Sequence, residues 1–76
     1  MLNNRFNIIS ERFRKIRLSK NLSYSDICNK LDSIGISMSE NDLKNIENNK
    51  REVKDFELIA LSIILDIPLD YFLKDF

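Results

Sequence analysis

The sequence predicts an all-α domain of five short helices, and three observations carry that expectation. One Gly and one Pro in 76 residues leave too little turn chemistry for a sandwich or barrel of short strands. Two segments open with the same helix-start signature, a Ser followed three residues on by an acid and flanked by apolar side chains. Elsewhere the apolar residues recur at helical spacing. Hydrophobic residues make up 43% of the chain, enough for a packed core, and the length accommodates a single domain over 1–76.

In the first segment Ile9, Phe13 and Ile16 fall at i, i+4 and i+7, one apolar stripe of a helix. Residues 1–20 hold Arg5, Arg12, Arg14, Lys15, Arg17 and Lys20 against Glu11, a local net charge of +5 in a chain whose total is zero. These cations spread round the rest of the helix, which reads either as a solvated face or as a patch facing phosphate.

The next two helices begin alike. Ser23 stands three residues before Asp26, between Leu22 and Ile27; Ser39 stands three before Asp42, between Met38 and Leu43. Each Ser hydroxyl can take an orphan backbone N–H, and each acid complements the positive helix start. Asp replaces the longer Glu or Gln of the usual capping box, and the apolar pairs form hydrophobic staples. The first of these helices, Tyr24–Ile34, turns Ile27, Leu31 and Ile34 to one side and ends at Gly35, suited to a left-handed residue. The second, Glu40–Asn48, directs Leu43 and Ile46 inward.

From Asp55 to Leu65 the chain is apolar nearly all round, the pattern of a central, buried helix. Pro68 then permits a new first turn over Leu69–Leu73, leading into the aromatic residues Tyr71, Phe72 and Phe76. These aromatics read either as a contact between two copies or as the closure of the monomer's core.

Several functions are excluded by composition. There is no His and a single Cys, Cys28, so neither a zinc site of the usual kind, a disulfide nor a nucleophile–base set is available. Gly35 alone cannot build a loop that cradles phosphate. No enzyme activity, metal or cofactor is expected. The longest apolar stretch, Leu58 to Leu65, falls short of the roughly 18 residues of a membrane span. Met1-Leu2-Asn3-Asn4-Arg5 does not begin a secretory signal, and a free Cys fits the reducing cytoplasm.

What remains is binding. On the Glu40–Asn48 helix, the arc opposite Leu43 and Ile46 carries Asn41, Lys44, Asn45 and Asn48, while Glu40, Asp42 and Glu47 lie on the flanks. An Asn amide can bond adenine N6 and N7 together in the major groove. The alternative is a solvated face in a chain with nine Asn, a residue that AT-rich codons favour.

From Ile9 to Leu73 the chain resembles the Cro/repressor-type helix-turn-helix domain, the lambda-repressor-like fold of phage and bacterial regulators. The resemblance is carried by Leu22-Ser23, Asp26-Ile27-Cys28 and Lys30-Leu31, then by Leu43, Ile46-Glu47-Asn48 and Lys50. Its most diagnostic run is Val53-Lys54-Asp55-Phe56-Glu57-Leu58, through Ala60-Leu61, to Leu65-Asp66-Ile67-Pro68-Leu69-Asp70-Tyr71-Phe72-Leu73. It implies a helix-turn-helix pair over about 24–48, C-terminal helices over about 55–73, and a second helix of the pair lying in the major groove. By position, Asn41, Lys44, Asn45 and Asn48 would face bases. Tyr24, Ser39, Lys50 and Arg51 would face phosphates. An acid matching Glu47 pairs in relatives with a base matching Arg17, so Arg17 and Glu47 are expected to form a structural ion pair.

The sequence also departs from the family pattern. Tyr24 stands where many relatives have a phosphate-binding Gln, and Glu40 and Asp42 replace neutral or basic residues, each at a cost in DNA affinity. Asp32–Ile36 lengthens the second helix and its turn relative to the shortest members. Cys28 replaces a small Ala, with packing as its expected role and redox sensing as the alternative. The implied protein is a sequence-specific double-stranded DNA-binding transcriptional regulator, a repressor. It would act as a homodimer through Tyr71, Phe72 and Phe76 in the bacterial or phage-infected cytoplasm. The alternative is a protein-interaction module, an antirepressor or partner of another regulator, for which zero net charge and a pI near 6.2 speak, since DNA-binding domains are usually basic.

Overall fold

The computed structural model describes residues 5–73. Among them all regular structure is helical: α1 Arg5–Ser19, α2 Tyr24–Ser33, α3 Glu40–Glu47, α4 Asp55–Leu65 and α5 Asp70–Leu73. The ends of α2, α3 and α5 differ by one residue from the sequence expectation. Ile34 and Asn48 have already left helical geometry and act as caps.

Both Ser caps form complete capping boxes. Ser23 Oγ accepts the Asp26 N–H at 3.0 Å while Asp26 Oδ2 accepts the Ser23 N–H at 3.0 Å. Ser39 and Asp42 repeat this at the start of α3, again with both bonds at 3.0 Å. Asp is therefore long enough for the return bond.

The helix ends are as regular as the starts. Residues Asn21, Gly35, Asn49 and Asp66 take positive φ, from 56° to 82°, and each is followed by a residue whose N–H reaches back five positions. These bonds are Leu22 to Arg17 O, Ile36 to Leu31 O, Lys50 to Asn45 O and Ile67 to Ser62 O, all within 3.0 Å. This is the Schellman termination, which satisfies carbonyls at the end of a helix. With one Gly in the chain, Asn and Asp supply the left-handed residue at the other three ends, since their short polar side chains tolerate it best.

Every helix contributes to one core. Phe13 from α1, Ile27 and Leu31 from α2, Leu43 and Ile46 from α3, Leu61 and Leu65 from α4, and Phe72 from α5 are fully buried. The helix α1 packs on α3 and α5, and α2 packs on α3 and α4. Polar ties reinforce the α1 contacts. Ser10 Oγ donates to the Ile46 carbonyl of α3 at 2.6 Å. Arg12 Nη1 donates to Tyr71 O at 2.9 Å, and Tyr71 Oη donates back to Arg12 O at 3.1 Å.

Two expectations need correction. The helix α4 is not buried all round: Leu58, Ala60, Leu61 and Leu65 face the core, but Phe56, Ile59 and Ile63 are 55%, 48% and 61% exposed. An 11-residue helix covered on one side only by its neighbours keeps an open arc, whatever its composition. Nor do Tyr71 and Phe72 form a free aromatic surface. Phe72 is fully buried, and Tyr71 meets it edge-to-face with centroids 5.5 Å apart. Phe72 closes the monomer's core and Tyr71 packs on it half-buried, so of the residues expected at a contact between copies Phe72 is unavailable and Tyr71 keeps part of its ring at the surface; Phe76 lies outside the described residues. No helix among the described residues is long and apolar enough to cross a membrane.

Candidate nucleic-acid interface

The short helix α3 is held by its inner side and presents its outer side. Leu43 and Ile46 are fully buried and the Glu47 side chain is buried with them. Asn41, Lys44 and Asn48 are exposed, Asn45 is half-buried, and Lys50 is exposed just beyond the helix. The structure thus brings the expected base-facing residues onto one accessible stripe.

The charge around that stripe is arranged differently from its sequence count. Glu47 sits beneath α3 at the meeting of three helices. The Arg17 guanidinium forks onto its carboxylate through Nε and Nη2, the latter at 3.2 Å from Oε1. Arg14 Nη2 donates to the Glu47 carbonyl at 3.1 Å, and Arg14 Nε stands 3.7 Å from Oε1. Arg17 Nη1 also donates to Leu22 O in the α1–α2 connection at 3.0 Å. A buried carboxylate needs such complete pairing, because an unpaired one costs several kcal/mol in desolvation.

Tyr24 is the first correction to the site. Its hydroxyl donates to Glu47 Oε1 at 2.9 Å and its ring lies 4.5 Å under the Arg17 guanidinium. The one phenolic proton is committed inside the fold, so Tyr24 cannot donate to a phosphate in this arrangement. Burial, followed by the bond to anionic Glu47, pushes the phenol pKa up from its usual value.

Arg51 is the second correction. Its two terminal nitrogens hold Glu57 at 2.9 and 2.8 Å, a bidentate pair, and its Nε lies 3.7 Å from Asp42 Oδ1. Glu57 Oε1 also accepts the Lys54 N–H at the start of α4, at 3.0 Å. Arg51 therefore clamps the α3–α4 connection to α4 and is not a free phosphate ligand. The Arg51 fork holds the Glu57 carboxyl below its ordinary value. Glu57, at the third position of α4, is the sequence signal for this clamp.

Ser39 is narrowed as a phosphate ligand. Its backbone N–H and its Oγ acceptor are both used by the capping box, which leaves its hydroxyl proton and the first-turn N–H groups of Glu40 and Asn41. Asp42, in turn, is bound by the Ser39 N–H, which lowers its pKa, and it sits beside Arg51. Of the three acids on α3, Glu47 is paired in the interior, Asp42 is half-exposed in its capping box beside an Arg51 that it shares with Glu57, and Glu40 is exposed.

The basic first helix is also largely architectural. Arg12, Arg14 and Arg17 are bonded to α5, to α3 and to Glu47, so part of its charge is used within the fold, although Arg14 stays half in solvent. Exposed Lys15 and Lys20 remain. Cys28 packs half-buried against the core, and burial, with Glu40, Asp32 and Asp42 nearby, pushes its thiol pKa up. A thiol kept protonated is a packing residue and a poor redox sensor. No cluster of acids and Cys suited to a metal ion exists among the described residues.

The fold and site thus define a five-helix domain that displays an amide-rich helix face. Compared with protein families, with curated proteins and with solved structures, the chain matches none of them.

Proposed function

We propose that this chain is a sequence-specific double-stranded DNA-binding regulator of the Cro/repressor-like helix-turn-helix type, reading the major groove with α3. The observation that carries this reading is the stripe Asn41, Lys44, Asn45 and Asn48 on a helix anchored by Leu43 and Ile46. Of its three neighbouring acids, Glu47 is buried and paired with Arg17 inside the fold. Asn41 and Asn45 present amides to base edges, Lys44 and Lys50 supply charge, and the N–H groups at the capped start of α3 meet the backbone. Repression follows from occupancy of an operator.

Selection of bound duplexes from a random pool at low salt, with affinity then followed against salt, tests the reading. The expected result is an enriched site, a steep salt slope, and a loss of about 1–3 kcal/mol on that site for Asn41→Ala or Asn45→Ala. No enrichment and no retention at about 50 mM salt, where phosphate contacts are strongest, would overturn it.

One observation favours the second reading, a module that binds another protein. Arg12, Arg14, Arg17 and Arg51 are engaged within the fold, so the cations free to meet a polyanion are fewer than the 12 in the sequence.

A further inference from the structure

The helix α3 has 8 residues, fewer than the roughly 12–15 that an isolated helix needs in water. Its fully buried anchors, Leu43 and Ile46, stand three positions apart and leave the helix free to roll about the line that joins them. Its C-terminal carbonyls supply what stops the roll. A helix leaves its last four carbonyls without partners of its own, and in α3 each of them is taken. Lys44 O accepts the Asn48 N–H at 2.9 Å, Asn45 O the Lys50 N–H at 2.8 Å, and Ile46 O the Asn49 N–H at 3.1 Å. Ile46 O also accepts from Ser10 Oγ at 2.6 Å, and Glu47 O accepts from Arg14 Nη2 at 3.1 Å. These last two donors come from α1, whereas α1, α2 and α4 close their own ends with donors from their own segments.

Ser10, Arg14 and Arg17 recur at i, i+4 and i+7, a polar row on α1 beside the apolar stripe of Ile9, Phe13 and Ile16. Ser10 is only 5% exposed, and a polar group so deeply buried requires a partner. Its hydroxyl meets the end of α3 twice, since Asn49 Oδ1, on the left-handed residue that terminates the helix, lies 3.3 Å away. Asn45, Asn48 and Lys50 stand on the stretch of backbone held in this way.

We infer that Ser10 and Arg14 are positioning residues for the groove-reading helix: from one row of α1 they close the C-terminal end of α3 and fix the roll at which Asn45, Asn48 and Lys50 meet a duplex. The role differs from that of the Arg17–Glu47 pair, which anchors a side chain and not the helix backbone. It rests on the DNA-binding reading above, although the hydrogen bonds themselves do not.

Amide hydrogen exchange and duplex binding, compared between the full chain and its Ser10→Ala variant, test this role. Loss of the buried bond should speed exchange of the Asn48, Asn49 and Lys50 N–H groups about ten-fold, while the amides of α2 and α4 keep their protection. On a duplex enriched from a random pool, the variant should lose about five-fold in discrimination against a scrambled duplex. Affinity for the scrambled duplex and its salt slope should stay unchanged, because no exposed cation is altered. A loss of stability alone would weaken both duplexes equally. Arg14→Met alters a half-exposed side chain and keeps the test open should Ser10→Ala fold poorly. It should speed the same three amides and reduce discrimination, its lost charge weakening both duplexes alike. Acceleration spread over every helix, or absent from those three amides, would overturn the inference. Local acceleration with undiminished discrimination would overturn it too, with the DNA reading left intact. A parent protein that enriches no duplex would remove the DNA reading and the positioning role with it, whatever the exchange shows.

Discussion

Tyr24, the first residue of α2, donates its hydroxyl to Oε1 of Glu47, the last residue of α3, at 2.9 Å. With Arg17 forked onto the same carboxylate, one buried anion fixes how α1, α2 and α3 meet. The angle at which α3 is presented therefore depends on side chains that never reach the surface stripe.

Tyr24→Phe keeps the ring beneath Arg17 and removes the donor, at an expected cost of about 1–2 kcal/mol for an anion that loses one bond. The phenol's raised pKa has a defined sign. The fold favours the neutral form, so this stability is present below the ordinary tyrosine pKa and is lost as pH rises through the raised one. An absorbance titration of tyrosinate should show a delayed component in the parent protein and lack it in Tyr24→Phe. Titrations that superimpose once each is scaled to its own tyrosine content, two in the parent and one in the variant, would refute the bond.

At the acid side, three carboxylates are held below their ordinary values. Glu57 is held there chiefly by the Arg51 fork, and Asp26 and Asp42 chiefly by backbone bonds from Ser23 and Ser39. Depressed carboxylates contribute stability above their unfolded values, and it disappears as pH falls through the folded ones. Urea midpoints should thus decline below the ordinary carboxylate range. Glu57→Gln should lower the midpoint at neutral pH and flatten the acid decline; an acid limb parallel to that of the parent would count against the clamp.

The two acids at the start of α3 should behave oppositely. Glu40→Gln removes an exposed negative charge beside the proposed groove contact, so affinity for duplex DNA should rise several-fold, most at low salt. Asp42→Asn disturbs a capping box and leaves Arg51 without one partner, and its main effect should be a loss of about 1 kcal/mol in stability. Titrations on a selected duplex, read beside thermal melts, separate the two effects. Equal gains in affinity from both variants would contradict the paired state of Asp42.

Asn21 closes α1 at a φ of 58°. Asn21→Gly should stabilise the domain by about 0.5–1 kcal/mol by relieving the left-handed strain, whereas Asn21→Ala should cost about 1 kcal/mol. Melting temperatures in the reverse order would show that the Asn side chain itself holds the turn.

Local signals accounted for much of the fold. Ser23 with Asp26 and Ser39 with Asp42 marked two helix starts to the residue. Ile9, Phe13, Ile27, Leu31, Leu43 and Ile46 marked the inward faces, because capping and periodicity are written within a few neighbouring residues. Gly35 marked one helix end. Asn21, Asn49 and Asp66 marked three more but were hidden among other Asn and Asp residues, since tolerance of positive φ is a weaker signal than the freedom of Gly.

The partners of charged groups were another matter. Arg12 and Tyr71, Arg14 and Glu47, and Arg51 and Asp42 are distant or differently placed in sequence, and only packing decides which cations are consumed and which stay free. The same holds for α4, whose composition reads as buried while its neighbours cover one side alone. By itself the sequence determined the five helices, the inward faces of the first three and the amide stripe of α3, because each depends on residues within a turn or two. The tertiary structure decided the duties of Tyr24, Arg51 and the basic first helix and left Phe56, Ile59 and Ile63 open. Ion pairing and burial depend on distances between helices, which no local pattern contains.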